Sequence, residues 1–310
     1  MLLSCFSAAS ACSCGTEVLG GYGIGGPILT MPAYTLPKGK IVLGTGLQYN
    51  NFKQFSNSTL NALNRRDLHG HSQDSLMVNF VSAAYGMTDD LDLILNYPYR
   101  YIYGLKATGH GSTVDQGNSI GFGDLTLLAK YRVYKQQTQV AILGGMRFPT
   151  GQTNERDEFG FKLAADDQPG TGSWDPIMGL AISRLYKQMS FDLNASYRLS
   201  NQGSQDTIVG DLFSYNIATT YNFKHSMIKD HKLKPSLIVE LNGVWQEKTE
   251  FETLKDGNHG GNLLYLSPGL RLSLDDLALN FSLGFPLLND LNGLQPEAGI
   301  QLFTSLNCLI

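Results

Sequence analysis

The stretch Ile120–Phe148, IGFGDLTLLAKYRVYKQQTQVAILGGMRF, decides the fold. In its first half every second residue is apolar, and most residues between these are polar or charged. The apolar set is Leu125, Leu127, Ala129, Tyr131 and Val133, and the polar set is Asp124, Thr126, Lys130 and Arg132. A period of two with unlike faces is typical of a β-strand.

A second strand follows directly after the short link Lys135–Thr138. Its apolar face is Val140, Ile142, Met146 and Phe148, with Arg147 on the opposite face. The tight link predicts that the two strands form an antiparallel hairpin. A soluble β-sandwich would show the same alternation with its apolar face turned to the core, so the hairpin alone leaves two interpretations open.

The repetition of this pattern favours a membrane protein. From Lys40 to the end of the chain about twelve alternating strands follow one another, joined in turn by long and short links. This arrangement predicts an all-β fold, a transmembrane antiparallel up-and-down β-barrel over residues 40–310. Short links would be periplasmic turns, long links would be extracellular loops, and both ends of the barrel sequence would lie on one side. A soluble sandwich or jelly roll is the alternative.

The apolar face of each strand is expected to touch lipid. For the second strand this face is Leu76, Val78, Phe80 and Ala84. In the next strand four tyrosines gather at one end, as in the aromatic girdle of an outer-membrane barrel. They are Tyr97, Tyr99, Tyr101 and Tyr103.

The composition agrees with a barrel. Only 16% of the 310 residues are charged, against the usual value of about 25%. The net charge of −4 gives no reason to expect nucleic-acid binding. After the N-terminus no apolar run approaches the roughly 20 residues of a membrane helix. Hydropathy stays low in a barrel because every second residue faces the lumen.

The N-terminus predicts export. Residues 1–11 are small and apolar and end in Ala9-Ser10-Ala11, the pattern of a signal-peptide cleavage site. No Lys or Arg precedes the apolar part, which suggests a start upstream of Met1. Cleavage would leave Cys12 as the first residue, a candidate for lipidation, with Cys14 two residues later. The alternative is that these cysteines belong to the processing site and carry no chemistry.

Residues 12–39 form an N-terminal segment, rich in Gly and Pro from residue 15 on. The segment has no clear period and precedes the first strand. Two placements are open: a plug or lining of the lumen, or a periplasmic leader along the rim.

Charged residues on the polar faces are the candidate site. They are Arg100, Asp124, Arg147, Asp175, Arg198 and Glu297 near the extracellular half, and Lys130, Arg132 and Arg271 lower. In a narrow lumen, opposite charges at one level would form a salt-bridged girdle that sets polarity and size selection. The alternative is that the pairs only neutralise buried charge and brace the wall.

Metal or catalytic chemistry is not expected. The histidines His69, His71, His110 and His259 lie in predicted loops, where solvation is the favoured interpretation over a metal site. The acidic residues of the longest loop lack the spacing of a calcium loop. They are Asp157, Glu158, Asp166 and Asp167. A barrel hydrolase would need a Ser–His pair at the membrane face, and the six histidines offer none. We therefore expect no cofactor and no catalytic residue.

Three blocks of the chain carry a family resemblance: GFGDLTLLAKYRVY, MRFPTGQTN and PGTGSWDPIMGLAISRLY. Together they resemble the Gram-negative outer-membrane family named for the meta-pathway of phenol degradation, closely over Asn79–Thr220. The most specific parts are Gly123–Leu125 and Pro169–Pro176. The resemblance implies an outer-membrane barrel with a transport role and leaves the cargo open. The chain departs from such barrels in ending at Ile310 and not at an aromatic residue.

Two functions follow as expectations. The first is a channel of the Gram-negative outer membrane for passive uptake of small hydrophobic or aromatic compounds. The second is a non-conducting barrel that anchors or organises partner proteins. In both cases the expected partner is outer-membrane lipid, and the first adds a small-molecule solute.

Overall fold

The computed structural model describes residues 26–65, 71–109, 112–228 and 230–310 of the protein. The predicted export signal lies outside these ranges, as do Cys12, Cys14, His69 and His110.

Twelve long strands of the described chain close into one antiparallel sheet. Each strand pairs with the next along the sequence, and the first pairs with the last, so the predicted barrel is confirmed. The strands are β1 (Ile41–Phe52), β2 (Ser75–Thr88), β3 (Leu91–Gly109), β4 (Leu125–Lys135), β5 (Thr138–Phe148), β6 (Asp175–Tyr186), β7 (Met189–Arg198), β8 (Leu212–Asn222), β9 (His231–Gln246), β10 (Gly261–Leu274), β11 (Leu277–Leu291) and β12 (Ala298–Leu309).

Shorter elements occupy the links between these strands. Helix α1 (Asn57–Asn64) begins after Ser56, whose side chain accepts a hydrogen bond from the Thr59 N–H at 3.1 Å. No helix among the described residues has the length and apolar character needed to cross a membrane. The other short elements are strands His71–Ser72, Ser112–Phe122, Thr207–Ile208, Ser226–Ile228, Glu250–Phe251 and Leu254–Lys255, and the 3-10 helices Ala165–Asp167 and Ser204–Asp206.

The predicted alternation of long and short links holds except that the link 223–230, which contains strand Ser226–Ile228, is longer than the link 292–297 at the opposite end. The other turns at the end with the link 223–230 are short, and this end also carries the two ends of the barrel sequence, where the Ile41 N–H donates to the Ile310 carbonyl at 3.1 Å. We call it the periplasmic end. The longest links lie at the other, extracellular end, where Ser112–Phe122 continues the β3 hairpin above the barrel.

The outer surface of the barrel is apolar. Tyr131 and Ile142 expose 49% and 47% of their surface, while Lys130 and Arg147 of the same two strands are buried on the inner face. A continuous exposed apolar surface of this kind suits lipid and not water. Aromatic rings cluster toward the extracellular end of this surface, where Phe122 lies 5.0 Å from Tyr97 and 4.8 Å from Tyr99 between ring centroids.

The predicted face of β2 was wrong. Leu76, Val78 and Ala84 are buried on the inner face, and Phe80 stacks inside the lumen on Phe303 with ring centroids 5.8 Å apart. The residues between them face lipid instead, among them Val81. Both faces of β2 are apolar, so the alternation along the strand does not show which face points to lipid. The inner face is apolar because it contributes to an apolar patch on the inner wall of the barrel.

This patch, the apolar lumen patch, lies in the extracellular half of the barrel. It joins inward side chains of several strands to Leu163 of the long β5–β6 link, which is 1% exposed. The wall members are Phe52, Leu76, Val78, Ile102, Leu105, Leu212, Val244, Leu263, Tyr265 and Ala298. Part of the inner wall is therefore as apolar and as buried as a protein core.

The orientation of the outer face can be tested with Ile142→Arg. A lipid-facing arginine near the membrane midplane should lower the free energy of unfolding by about 2–4 kcal/mol. The measurement is urea unfolding of the protein folded into phospholipid vesicles. The matched control is Phe161→Arg, because Phe161 is 71% exposed in an extracellular link. Equal effects of the two substitutions would show that Ile142 does not meet lipid.

Candidate functional site

The inward charged side chains occupy two levels of the lumen. Near the extracellular end lies an outer cluster built around Arg147, and near the periplasmic end lie Lys130 and Arg271. Two chain segments reach these levels: the β5–β6 link 149–174 from the extracellular side and residues 26–38 from the N-terminal side.

The outer cluster ties the β5–β6 link across the lumen. The Arg147 Nε donates to the Asp175 carboxylate at 2.8 Å and lies 3.9 Å from an Asp124 oxygen. Asp124 in turn accepts hydrogen bonds from the Gly151 N–H at 3.0 Å and from the N–H and hydroxyl of Thr171 at 2.8 and 2.7 Å. These charges are fully buried, so each needs its partner.

The sequence blocks that carry the family resemblance meet in this cluster. Gly151 and Gly170 cross so closely that a Cβ on Gly151 would lie 2.6 Å from the Gly170 Cα. Only glycine allows such an approach of two backbones. The motif around Asp124 supplies the acceptor, and the motif around Thr171 supplies the donors. The motifs therefore encode one structural feature, the anchored link.

Arg100 and Arg198 complete the outer cluster. The Arg100 guanidinium donates to the Pro169 carbonyl at 3.3 Å. Arg100, Arg147 and Arg198 line a cavity of only about 20 Å³, which has room for about one water molecule. The β5–β6 link and the wall are thus closely packed around these three arginines.

Glu297 does not belong to this cluster, although the sequence placed it there. Its carboxylate is exposed at the extracellular rim and pairs with Lys53 at 2.5 Å. Glu297 precedes β12 in the link from β11, where strand alternation no longer fixes the direction of the side chain.

Arg132 lies on the same buried face as Lys130, at the periplasmic rim, and its partners are in a turn. It donates to the Asp90 carboxylate at 2.6 Å and to the Asp89 carbonyl at 2.7 Å, both in the β2–β3 turn. This hydrogen bond from Arg132 holds the pKa of the Asp90 carboxyl below its usual range. Arg132 thus braces a periplasmic turn.

The N-terminal segment runs through the lumen at the lower level. Arg271, which is fully buried, donates to the carbonyls of Gly26 and Pro27 at 2.7 and 2.8 Å. Its Nε donates to Asn280 at 2.6 Å, which fixes the guanidinium against β11. The segment therefore enters the described part of the lumen beside β10 and β11.

Glu240 makes the densest contact with this segment. Its carboxylate accepts hydrogen bonds from three consecutive N–H groups, those of Ile28, Leu29 and Thr30, at 2.6 to 3.1 Å. The Thr30 hydroxyl adds another at 2.8 Å. Glu240 is 1% exposed, so these donors replace the water that a carboxylate otherwise needs. We call this contact the Glu240 clasp.

Beyond the Glu240 clasp the segment crosses to the opposite wall. The Ala33 N–H donates to the Ser183 hydroxyl at 2.8 Å, and the Leu36 N–H donates to Asp92 at 2.9 Å. Lys130 pairs with Asp92 at 3.2 Å and donates to the Tyr34 carbonyl. Inward polar residues on opposite walls thus hold one extended segment.

Sequence reasoning did not single out Glu240, Asp92 or Ser183. Glu240 falls on the polar face of its strand, as do many residues. A carboxylate on an inner wall with no basic residue at i±2 was the available signal, because such a charge needs donors from elsewhere in the structure.

Two extracellular links are joined by His259. Its Nε2 lies 2.8 Å from Asp166 of the β5–β6 link, and its Nδ1 lies 3.3 Å from Asp256. Burial raises the pKa of Asp256, but hydrogen bonds from His259 and the Asn258 N–H outweigh it and hold the pKa below its usual range. The expectation of solvated loop histidines was wrong for His259 and His71, which are both buried.

Among the residues that the structure describes, no group of three or more His, Cys, Asp or Glu side chains is arranged to hold a metal ion. Asp166 and Asp167 are buried in the short 3-10 helix instead of forming an exposed acidic loop. Their surroundings are those of a structural contact between links.

Comparison with known proteins identifies one family and several solved structures that are similar to this chain. A profile of the family described as "Putative MetA-pathway of phenol degradation" matches residues 50–288. The chain is similar to the crystal structure of an outer membrane channel from Pseudomonas putida F1, with a TM-score of 0.59 and 18% identity, over 90% of this chain and 98% of that one. No curated protein sequence matches the chain.

Two further solved structures are more distant. One is the NanC porin, with a TM-score of 0.43, 8% identity and coverage of 86% of this chain and 99% of that one. The other is the CymD monoaromatic hydrocarbon channel, with a TM-score of 0.41, 11% identity and 88% coverage of both chains. The similarity to the Pseudomonas channel establishes the outer-membrane barrel fold.

The Glu240 clasp can be tested by cysteine labelling. In a background in which Cys5, Cys12, Cys14 and Cys308 are changed to Ser, Met31→Cys should react slowly with a maleimide because Met31 is buried at 3% exposure. The additional substitution Glu240→Ala removes the carboxylate that accepts hydrogen bonds from four donors of the segment. Labelling should then be at least about tenfold faster. Glu297→Ala is the control, since its carboxylate lies at the rim. An unchanged rate would show that Glu240 does not hold the segment.

The outer cluster can be tested with Arg147→Met. Removing the guanidinium leaves buried carboxylates without their cation, and the free energy of unfolding should fall by about 3–5 kcal/mol. Lys53→Met should cost less than about 1 kcal/mol, because Lys53 and its partner Glu297 are both solvent-exposed. Both are measured by urea unfolding in vesicles. Similar losses would contradict the difference in burial on which this prediction depends.

Proposed function

Because this chain belongs to the family described as "Putative MetA-pathway of phenol degradation", we propose that it is an outer-membrane channel for passive uptake of small apolar or aromatic compounds. The family and the barrel fold support a role in the outer membrane. The choice of cargo depends on the wall of the lumen, and above all on one feature.

That feature is the apolar lumen patch. A sugar or an inorganic ion that crosses it would lose hydrogen bonds to water without replacement, at a cost of several kcal/mol. An apolar or aromatic solute would bury surface there instead. A pore that selects by the chemistry of its lining would therefore favour such solutes. Leu163 of this patch belongs to a link and not to the wall, so displacing the link would not break any pairing between strands of the barrel.

The two closures of the lumen suit a gated pore. Both are formed by chain segments held through hydrogen bonds, the β5–β6 link at Asp124 and residues 26–38 at Glu240. Small barrels of about eight strands fill their interior with wall side chains alone. This twelve-stranded barrel has room for a path once the segments are displaced.

A non-conducting barrel that organises partner proteins is the competing function, and the occupied lumen is the observation that favours it. Under that function the segments are permanent braces. We propose no enzymatic activity: the buried His259 pairs with carboxylates, which suits a structural connection between links.

The channel is tested by uptake of radiolabelled toluene and arabinose in Gram-negative cells with and without the protein. We expect the protein to raise the toluene rate several-fold and to leave arabinose unchanged. Val78→Asn, on the apolar lumen patch, should lower the toluene rate. Met77→Asn, the neighbouring residue on the outer face, is the control and should not.

Planar-bilayer recording separates the two functions. A channel should give discrete currents that become more frequent in Glu240→Ala, because the N-terminal segment is then less firmly held. If neither protein conducts and toluene uptake is unchanged while gel mobility shows a folded barrel, the chain is a structural barrel.

A further inference from the structure

We propose that a cavity beside the N-terminal segment, at the periplasmic end of the lumen, binds a single-ring aromatic carboxylate. The inference rests on the proposed channel function, since the cavity lies on the path through the barrel. It adds the chemical class of a solute that the channel retains, and it assigns the residue that recognises the charge.

The cavity has the size for such a ligand. Its volume is about 310 Å³, at the lower end of the roughly 300–1,000 Å³ of small-molecule pockets. One side is formed by the N-terminal segment and the other by inward residues of the wall near the short turns. The lining is Gly26, Pro32, Tyr34, Thr35 and Leu36 of the segment, and Ala84, Asp92, Ile94, Lys130, Leu185, Ser190, Asn222 and Lys234 of the wall.

The apolar part of this lining suits an aromatic ring. Leu36, Ile94 and Leu185 supply branched aliphatic surface, and Tyr34 supplies an aromatic ring against which another can stack. Sugars and hydrated inorganic anions would gain little from these groups. The apolar part therefore selects for a ring, as the apolar lumen patch does at the other end of the barrel.

Two cations, Lys130 and Lys234, and one anion, Asp92, line the cavity, and the lining residue Ser190 donates a hydrogen bond to the buried Asp192 carboxylate. Lys130 and Asp92 neutralise each other at 3.2 Å. Lys234 is exposed and forms no ion pair with any carboxylate of the described chain. In the strand pairing it lies opposite Ser273, which is buried on the inner face, so Lys234 also belongs to that face. A carboxylate in the cavity would supply the opposite charge that Lys234 lacks.

The position of the cavity couples the ligand to the N-terminal segment. An occupant would contact the segment at Pro32–Leu36 and the wall at the same time. A ligand that binds only when both surfaces are in place stabilises the arrangement that provides them. Occupancy should therefore hold the segment in the lumen.

Equilibrium dialysis of radiolabelled benzoate against the purified full chain in detergent tests the site. We expect saturable binding that Lys234→Gln weakens about tenfold and that Lys232→Gln leaves unchanged, since Lys232 does not line the cavity. Benzyl alcohol, which has the ring without the charge, should compete equally weakly in wild type and Lys234→Gln. Ala84→Phe, which fills the cavity, should abolish benzoate binding.

A second readout tests the coupling. Benzoate should slow maleimide labelling of Met31→Cys in the background with all four native cysteines changed to Ser, and cyclohexane carboxylate should do so less because it cannot stack. Equal benzoate binding by wild type and Lys234→Gln would overturn the assignment of Lys234. No saturable benzoate binding by wild type would overturn the site. Toluene uptake is measured in parallel, so its loss or persistence reports on the proposed function separately.

Discussion

Closure of the β-sheet is the constraint on which the rest of the structure depends. In lipid no water is available to pair with backbone N–H and C=O groups, so a sheet that crosses the membrane cannot keep a free edge. The pairing of β1 with β12 removes that edge. Closure also divides every strand into an outer face toward lipid and an inner face toward a lumen. Polar side chains on the inner faces of the strands must then find partners inside a space that the barrel itself defines.

The partners of these inward polar side chains are provided at different levels of the lumen. At the periplasmic level, the backbone of the N-terminal segment supplies the donors that Glu240 needs and the acceptors that Arg271 needs. At the extracellular level, Asp124 receives donors from the β5–β6 link. Between the segments, the apolar lumen patch needs no polar partner at all. Each segment that closes the lumen thus also supplies hydrogen-bond partners to buried charged side chains. A solute that passes must replace these hydrogen bonds or bypass them.

The outer cluster shows why family motifs separated along the chain belong together. Gly151 and Gly170 allow two backbones to cross, and Asp124 and Thr171 hold them there. Neither motif has an obvious chemical role on its own. Only the structure shows what the two motifs have in common, because it places both of them beside Arg147, where together they anchor the link. In our proposal, this anchored link and the N-terminal segment form the two barriers of an uptake path, with a binding cavity beside the second.

The sequence by itself determined the barrel: the period of two, the number of strands and the order of long and short links follow from side-chain direction, which is a local property of the strand. It also placed Arg100, Arg147 and Lys130 on the inner face. It failed where both faces of a strand are apolar, as at Leu76 in β2, and where a residue lies outside a strand, as at Glu297. Partners such as Glu240 and the Ile28 N–H are more than two hundred residues apart. No local pattern encodes such a contact, because only closure of the sheet around the segment brings its two members to the same place.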